Sequence, residues 1–361
     1  MPHLFTDISS HGFGHLAQTA PVLNELVERM PGLDLTIRCG LPLETLRSRI
    51  RTPFRHMKQS SDFGFIMHDA VCIDRVATAA AYRAWHENWN RRVEAEADLL
   101  HDLSPDLVLT DVAYLPLAGA AQCNVPALSM CSLNWADIFA HVFGQEPWAK
   151  AIYEQMLASY RSAGHFLRLT PAMPMPDLPN ARPIAPVAAL GKDRRTELQE
   201  RIGVSWQERI VLVAFGGYNK ELNAGRWPVI PGVHWLIPKS WSIARDDMTT
   251  FESLLMHFSD LVRSVDAVLT KPGYGTFTEA ACNGTAVLYL RRDDDWPEQD
   301  CLIEWLEENA RCREVDLAAL QEGKAEAALQ DLWRQKAPPV QKPSGSAEAA
   351  GLITSLLSAP Y

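Results

Sequence analysis

Residues 268–290 read VLTKPGYGTFTEAACNGTAVLYL. A short apolar run ends at Thr270, a loop with Gly273 and Gly275 follows, a helix is expected to open near Thr276 and stop at Gly284, and a second apolar run begins. Strands joined through a helix lie parallel in one sheet. In such sheets ligands bind beyond the carboxyl ends of the strands, where glycine lets backbone N–H groups approach a phosphate and the next helix offers its positive end. Thr276 and Glu279 also satisfy the S/T-x-x-E capping pattern. Glu279 therefore has two readings: it binds the Thr276 backbone N–H, or it meets a ribose diol beside a loop whose amides and Lys271 hold a diphosphate.

The same rhythm runs outward in both directions. HLFTDI (3–8), LDLTIRCG (33–40), DLVLTDVAY (106–114) and VPALSMC (125–131) read as buried strands. TAPVLNELVERM (19–30) reads as a helix with Pro21 in its first turn, residues 81–103 as one long helix, and LPLAGAAQCN (115–124) as another. PAMPMPDLPNARPIAP (171–186) is proline-rich and reads as a crossing between domains. Beyond it RIVLVAFGG (209–217), VHWLIP (233–238), AVLT (267–270), TAVLYL (285–290) and CREV (312–315) restart the pattern, and KAPPVQKPSGS (336–346) leads to a last helix over 347–358. The expectation is an α/β protein with a first Rossmann-like domain over 1–180, a second over 181–340, and a crossing segment and helix over 341–361. Chains beyond ~250–300 residues usually divide in this way, and this one has 361.

Two further glycine loops follow predicted strands. Phe215-Gly216-Gly217-Tyr218 is a plain turn or a second phosphate-contacting loop. HGFGHLA (11–17) matches G-x-G-x-x-A, yet the next strand ends in Arg38-Cys39-Gly40, without the carboxylate that a NAD ribose needs. Arg38 would suit a 2′-phosphate, so an NADP oxidoreductase is an alternative.

Composition removes other classes. Lys and Arg number 34 against 44 Asp and Glu, a net charge of -10, the opposite of a nucleic-acid footprint. No apolar run is long enough to span a bilayer and the N-terminus lacks a signal-peptide pattern, which points to a cytoplasmic protein. The seven cysteines form no CxxC pair and no Cys/His cluster at zinc spacing, so no metal is expected.

The stretch TKPGYGTFTEAACNGTAVLYL with the following RRDDDWPEQ resembles the donor-binding half of glycosyltransferases of GT-B architecture, and SHGFGH resembles their first loop, most of all that of the glycosyltransferase-like region of plant-type arabinokinases. The resemblance implies two Rossmann-like domains with parallel sheets facing across a cleft, and a nucleoside-diphosphate sugar as co-substrate with no other cofactor. It places Gly273, Tyr274, Gly275 and Thr276 at the diphosphate, Glu279 at the ribose, and Glu298 and Gln299, with Asp294 and Asp295 close by, at the donor sugar. It places His15 as the base, oriented by Asp111, with His11 as the competing base. Lys271-Pro272 replaces the usual His-Gly, and Gln18 stands where proline often follows the histidine. The acceptor and the oligomeric state are not implied. A nucleotide-sugar epimerase and a non-catalytic nucleotide-sugar-binding protein fit the same architecture.

Overall fold

The computed structural model describes residues 1–67, 73–215, 222–292, 295–322 and 324–358. The chain divides into two units, the first being Met1–Val187 with 296–298 and the segment from Ser344 on, the second Ala188–Asp295 with Gln299–Pro343.

The first unit is built on β1 (His3–Ile8), β2 (Asp34–Arg38), β3 (Arg55–Met57), β4 (Leu107–Asp111), β5 (Ala127–Cys131), β6 (His165–Leu169) and β7 (Ala181–Ile184), in the spatial order β3-β2-β1-β4-β5-β6-β7. Every pairing is parallel. All six residues of β1 are buried, because helices cover both faces of a parallel sheet and its central strands meet no water. The register sets Ile8 beside Asp111. The order reverses between β1 and β4, so their carboxyl ends diverge into the two crossover connections and leave a crevice there.

The second unit repeats the plan with β8 (Arg209–Val213), β9 (Val233–Ile237), β10 (Met248–Thr250), β11 (Ala267–Thr270), β12 (Ala286–Tyr289) and β13 (Cys312–Glu314), in the order β10-β9-β8-β11-β12-β13, again all parallel. Its reversal lies between β8 and β11, where Ala214 N–H donates to Leu269 O and the Thr270 hydroxyl to Ala214 O. Trp227, Trp235 and Trp241 sit inside the core of this unit rather than on a platform for a base.

Several boundaries differ from the sequence expectation. The helix expected from residue 19 runs Phe13–Arg29, so Pro21 lies in its interior and removes one i→i−4 bond; burial of Leu16, Ala20, Leu23 and Leu26 carries the helix through. The helix expected over 81–103 breaks at Asn88 into Arg75–Glu87 and Trp89–Leu103. The supposed crossing at 171–186 contains the edge strand β7, and the first unit continues to Val187 rather than ending at 180. Proline is tolerated at that edge, where no further strand needs its missing N–H. The helix Gly345–Leu357 belongs to the first unit and packs on Phe13–Arg29. It sits so close to the chain that a Cβ on Gly345 would fall 2.0 Å from the Ala185 carbonyl oxygen.

Arg38 cannot serve a 2′-phosphate. It is buried on β2, its Nε donates to Asp7, and its two terminal nitrogens form a fork with Glu96 at 2.9 and 2.5 Å. Removing the cation would strand two buried carboxylates. Arg38→Leu is expected to lower the unfolding free energy by about 3–5 kcal/mol in urea denaturation. A loss under about 1 kcal/mol would show that this triad does not hold the sheet to its covering helix.

Candidate active site at the carboxyl ends of β1, β4 and β5

Gly12 has φ +120 and ψ 170, a conformation open only to glycine, and it turns the chain sharply from β1 into the helix Phe13–Arg29. The turn puts His15 in the first helical turn, one strand away from Asp111 at the end of β4. His15 Nδ1 and Asp111 Oδ1 are 3.1 Å apart, and both side chains are buried. Asp111 Oδ2 accepts from the Thr19 hydroxyl at 3.3 Å. With both oxygens engaged, Asp111 fixes the ring and leaves Nε2, which makes no hydrogen bond among the described residues, as the free lone pair.

The charges around the ring decide its proton affinity. Burial is the largest influence and opposes the imidazolium, but Asp111, then Asp62 and Glu298, outweigh it and hold the His15 pKa above the usual histidine value. Asp62 accepts from the Trp135 indole N–H at 2.7 Å and the Ser9 hydroxyl at 3.1 Å. Burial, and then the charge of Asp7, push its carboxyl up to about 6. Burial also raises Asp111. The residue after it, Val112, has φ +66, a strained conformation for a β-branched side chain, next to a group the site depends on.

His11 is half-buried with its ring edge-on to Trp135 at 5.3 Å. It does not share the buried carboxylate, which goes to His15. Trp135 is itself 1% exposed, so it is core rather than a substrate platform, and Asn134 caps the helix Trp135–Phe143. Gly64 (φ +57) brings the loop after β3 onto both rings; a Cβ there would lie 2.8 Å from the His11 ring and 3.0 Å from Trp135.

A third group joins the dyad: Cys131 Sγ is 3.9 Å from His15 Nδ1, and the ligand atoms of His15, Asp111 and Cys131 lie within 4.8 Å of one another. Burial pushes the Cys131 thiol well above its usual pKa.

Glu298 and Gln299 are buried and split between the two units. Glu298 Oε1 accepts from the Ser132 hydroxyl at 2.6 Å and Oε2 from the Trp296 indole at 3.4 Å. Gln299 Oε1 accepts the Arg292 backbone N–H at 3.1 Å. Gln18, Thr19, Ser132 and Trp296 were not singled out as site residues by sequence. The available signal was the polar set His15, Gln18 and Thr19, at i, i+3 and i+4 on the buried face of the helix Phe13–Arg29.

In the second unit the helix Tyr274–Asn283 starts two residues before Thr276, with Gly273 at the N-cap and no side chain capping it. The Thr276–Glu279 capping box is therefore not formed. Glu279 is 1% exposed, while Lys271, Gly273 and Thr276 are half-buried, so solvent reaches this terminus at the loop and not at the Glu279 carboxylate. Gly273 has an extended φ of −170, and among the described residues a Cβ there would meet nothing closer than 3.9 Å. Gly284, at φ +75, ends the helix as expected. Gly275 and Tyr274 are buried, Asp295 is exposed, and Gly216, Gly217 and Asp294 lie outside the described residues. No described helix is long and apolar enough to cross a membrane.

Replacing Gly64 by alanine should lower stability by about 1–3 kcal/mol through the forced positive φ and the clash with the two rings. An unchanged thermal midpoint would show that the loop does not seat against His11 and Trp135.

No protein-family model matches the chain. It is 24% identical over 299 residues to L-arabinokinase of Arabidopsis thaliana, a match that covers 79% of this chain but only 28% of that protein's length. Among solved structures, the calicheamicin glycosyltransferase CalG4 superposes with a TM-score of 0.68 at 16% identity, over 99% of this chain and 100% of that one. UDP-N-acetylglucosamine 2-epimerase superposes with a TM-score of 0.55 at 13% identity, over 99% and 96%. With its two all-parallel sheets, each reversing strand order once, the chain has the GT-B fold.

Proposed function

We propose that the chain moves a sugar from a nucleoside-diphosphate sugar, with UDP as the nucleotide, to an acceptor hydroxyl with inversion and without a metal. The observation that carries this reading is the His15–Asp111 bond at the reversal point of the first sheet. In the proposed step, Nε2 of neutral His15 takes the acceptor proton as that oxygen bonds to C1 of the donor. The C1–O bond to the diphosphate breaks with its electron pair on the leaving group. Asp111 stabilises the imidazolium so formed and holds the tautomer that leaves Nε2 basic. Lys271 and the first-turn amides of the helix Tyr274–Asn283 would receive the negative charge of the leaving diphosphate. Glu279, which the resemblance puts at the ribose, is enclosed, so this role requires the carboxylate to be uncovered as nucleotide binds. The epimerase with the same fold supports a second reading, conversion of the nucleotide sugar itself, which product analysis without acceptor separates from transfer.

A thermal-shift screen of nucleoside diphosphates and their sugars tests the donor, since ligand at 100 times its Kd stabilises by ~2.7 kcal/mol. A screen in which none of these compounds raises the midpoint would refute nucleotide-sugar binding. Glu279→Gln should weaken the responding nucleotide about tenfold or more if the carboxylate holds the ribose. With the donor in hand, His15→Ala should lower turnover by roughly 10²–10⁴-fold with donor affinity nearly unchanged. A variant that keeps most of the wild-type rate removes His15 as the base.

The pH profile has a definite sign. The base must be neutral, and the His15 pKa lies above 6.5, so kcat/KM should rise with pH along a limb centred above that value. Asp111→Asn withdraws the main support of the cation and should move this limb to lower pH while reducing the plateau.

A further inference from the structure

The dyad has a second support on its other side. Gln18 lies three residues after His15 on the same helix and grips Ser132 at both ends of one residue: its Nε2 donates to the Ser132 hydroxyl at 3.3 Å and its Oε1 accepts the Ser132 N–H at 3.2 Å. The Ser132 hydroxyl passes its own proton to Glu298 Oε1 at 2.6 Å. The other carboxylate oxygen faces the Trp296 indole N–H at 3.4 Å. Ser132 directly follows Cys131, whose Sγ lies 3.9 Å from His15 Nδ1, and Gln18 lies one helical turn after His15, so the chain of bonds runs alongside the ring. Gln18, Ser132 and Glu298 are all buried, and Glu298 belongs with the first unit.

We propose that Gln18 and Ser132 are positioning residues that fix the Glu298 carboxyl group on the side of the sheet edge where His15 and Asp111 meet, so that Glu298 as well as Asp111 bears on the imidazole. The arrangement has a physical logic. A buried carboxylate stays charged only while hydrogen bonds support it. Gln18 satisfies the Ser132 backbone N–H and its amide donates to the hydroxyl oxygen, which leaves the hydroxyl proton for Glu298. The charge then reaches the imidazole: Glu298 is among the groups that raise His15. The other titratable groups around the ring are Asp111 from β4, Cys131 from β5, Asp62 from the loop after β3, and His11 from the turn before the helix.

The catalytic part of this inference rests on His15 being the base, so the test has one readout that needs no reaction. The His15 ring is followed by NMR titration, with its resonance identified by loss in His15→Gln. Ser132→Ala deprives Glu298 of its donor and favours its protonated form; Glu298→Gln removes the charge. Both should lower the His15 pKa, and the double variant should lower it no further than the larger single one, as coupled sites do. Gln18→Met, of similar shape but without hydrogen bonds, should shift it in the same direction and serves if Ser132→Ala does not fold. In steady state, Ser132→Ala should reduce kcat roughly tenfold with the donor KM within about twofold, and move the acid limb of kcat/KM to lower pH. An unmoved His15 titration in folded Ser132→Ala or Gln18→Met, or strictly additive effects, overturns the relay. A wild-type protein that transfers no sugar, yet shows the coupled titration, refutes the transfer reading and leaves the relay standing.

Discussion

One hydrogen bond, His15 to Asp111, organises the first unit's chemistry, and it exists because β1 and β4 are neighbours although 96 residues separate the two side chains. A parallel sheet delivers all its strands to the same edge, and the reversal of order at β1 and β4 opens that edge where the covering helices part. Gly12 then turns the chain steeply enough for the first helical turn to present His15 to the end of β4. The cation that forms there stands near the positive end of its own helix, which disfavours it. The carboxylates of Asp111, Asp62 and Glu298 reverse that balance.

The same sheet design explains which polar groups are structural. Arg38 sits in the interior with a carboxylate on each side, Asp7 from β1 and Glu96 from the helix Trp89–Leu103. Its guanidinium fork is used up by these two partners, so it holds elements together and is unavailable to a ligand. Glu96 and Gly119 show how close the covering helices lie, since a Cβ on Gly119 would come within 2.5 Å of the Glu96 side chain. Asp111 is as deeply buried as Arg38, yet its partner is an imidazole with one nitrogen unspent. That difference, and not burial, separates a pair able to exchange a proton from a brace.

In the second unit, the loop 271–273 leads into a helix terminus without a side-chain cap. Most helices use a Ser, Thr, Asp or Asn at that position, as Asn134 and Asp74 do here. A glycine in its place offers no side chain to the first-turn amides.

The sequence by itself determined the alternation of strands and helices, because buried parallel strands need unbroken apolar runs such as VLVA and AVLT, and it located the glycine turns, because Gly12 and Gly284 adopt dihedral angles that other residues avoid. It also put His15 and Asp111 at the ends of their elements. Short edge strands such as β3, β7 and β10 were not legible: three or four residues carry too little periodicity, and β7 contains a proline. Nor were the start of the first helix, carried past Pro21 by burial, and the start of the helix at Tyr274, where the capping pattern two residues on misled. Only the tertiary structure decided that Arg38 is a brace, that Asp62 and Glu298 join Asp111 in raising the proton affinity of one imidazole, and that Glu279 is enclosed. These are contacts between residues far apart in the chain, and their partners are chosen by strand order and helix packing, which no local run of residues encodes.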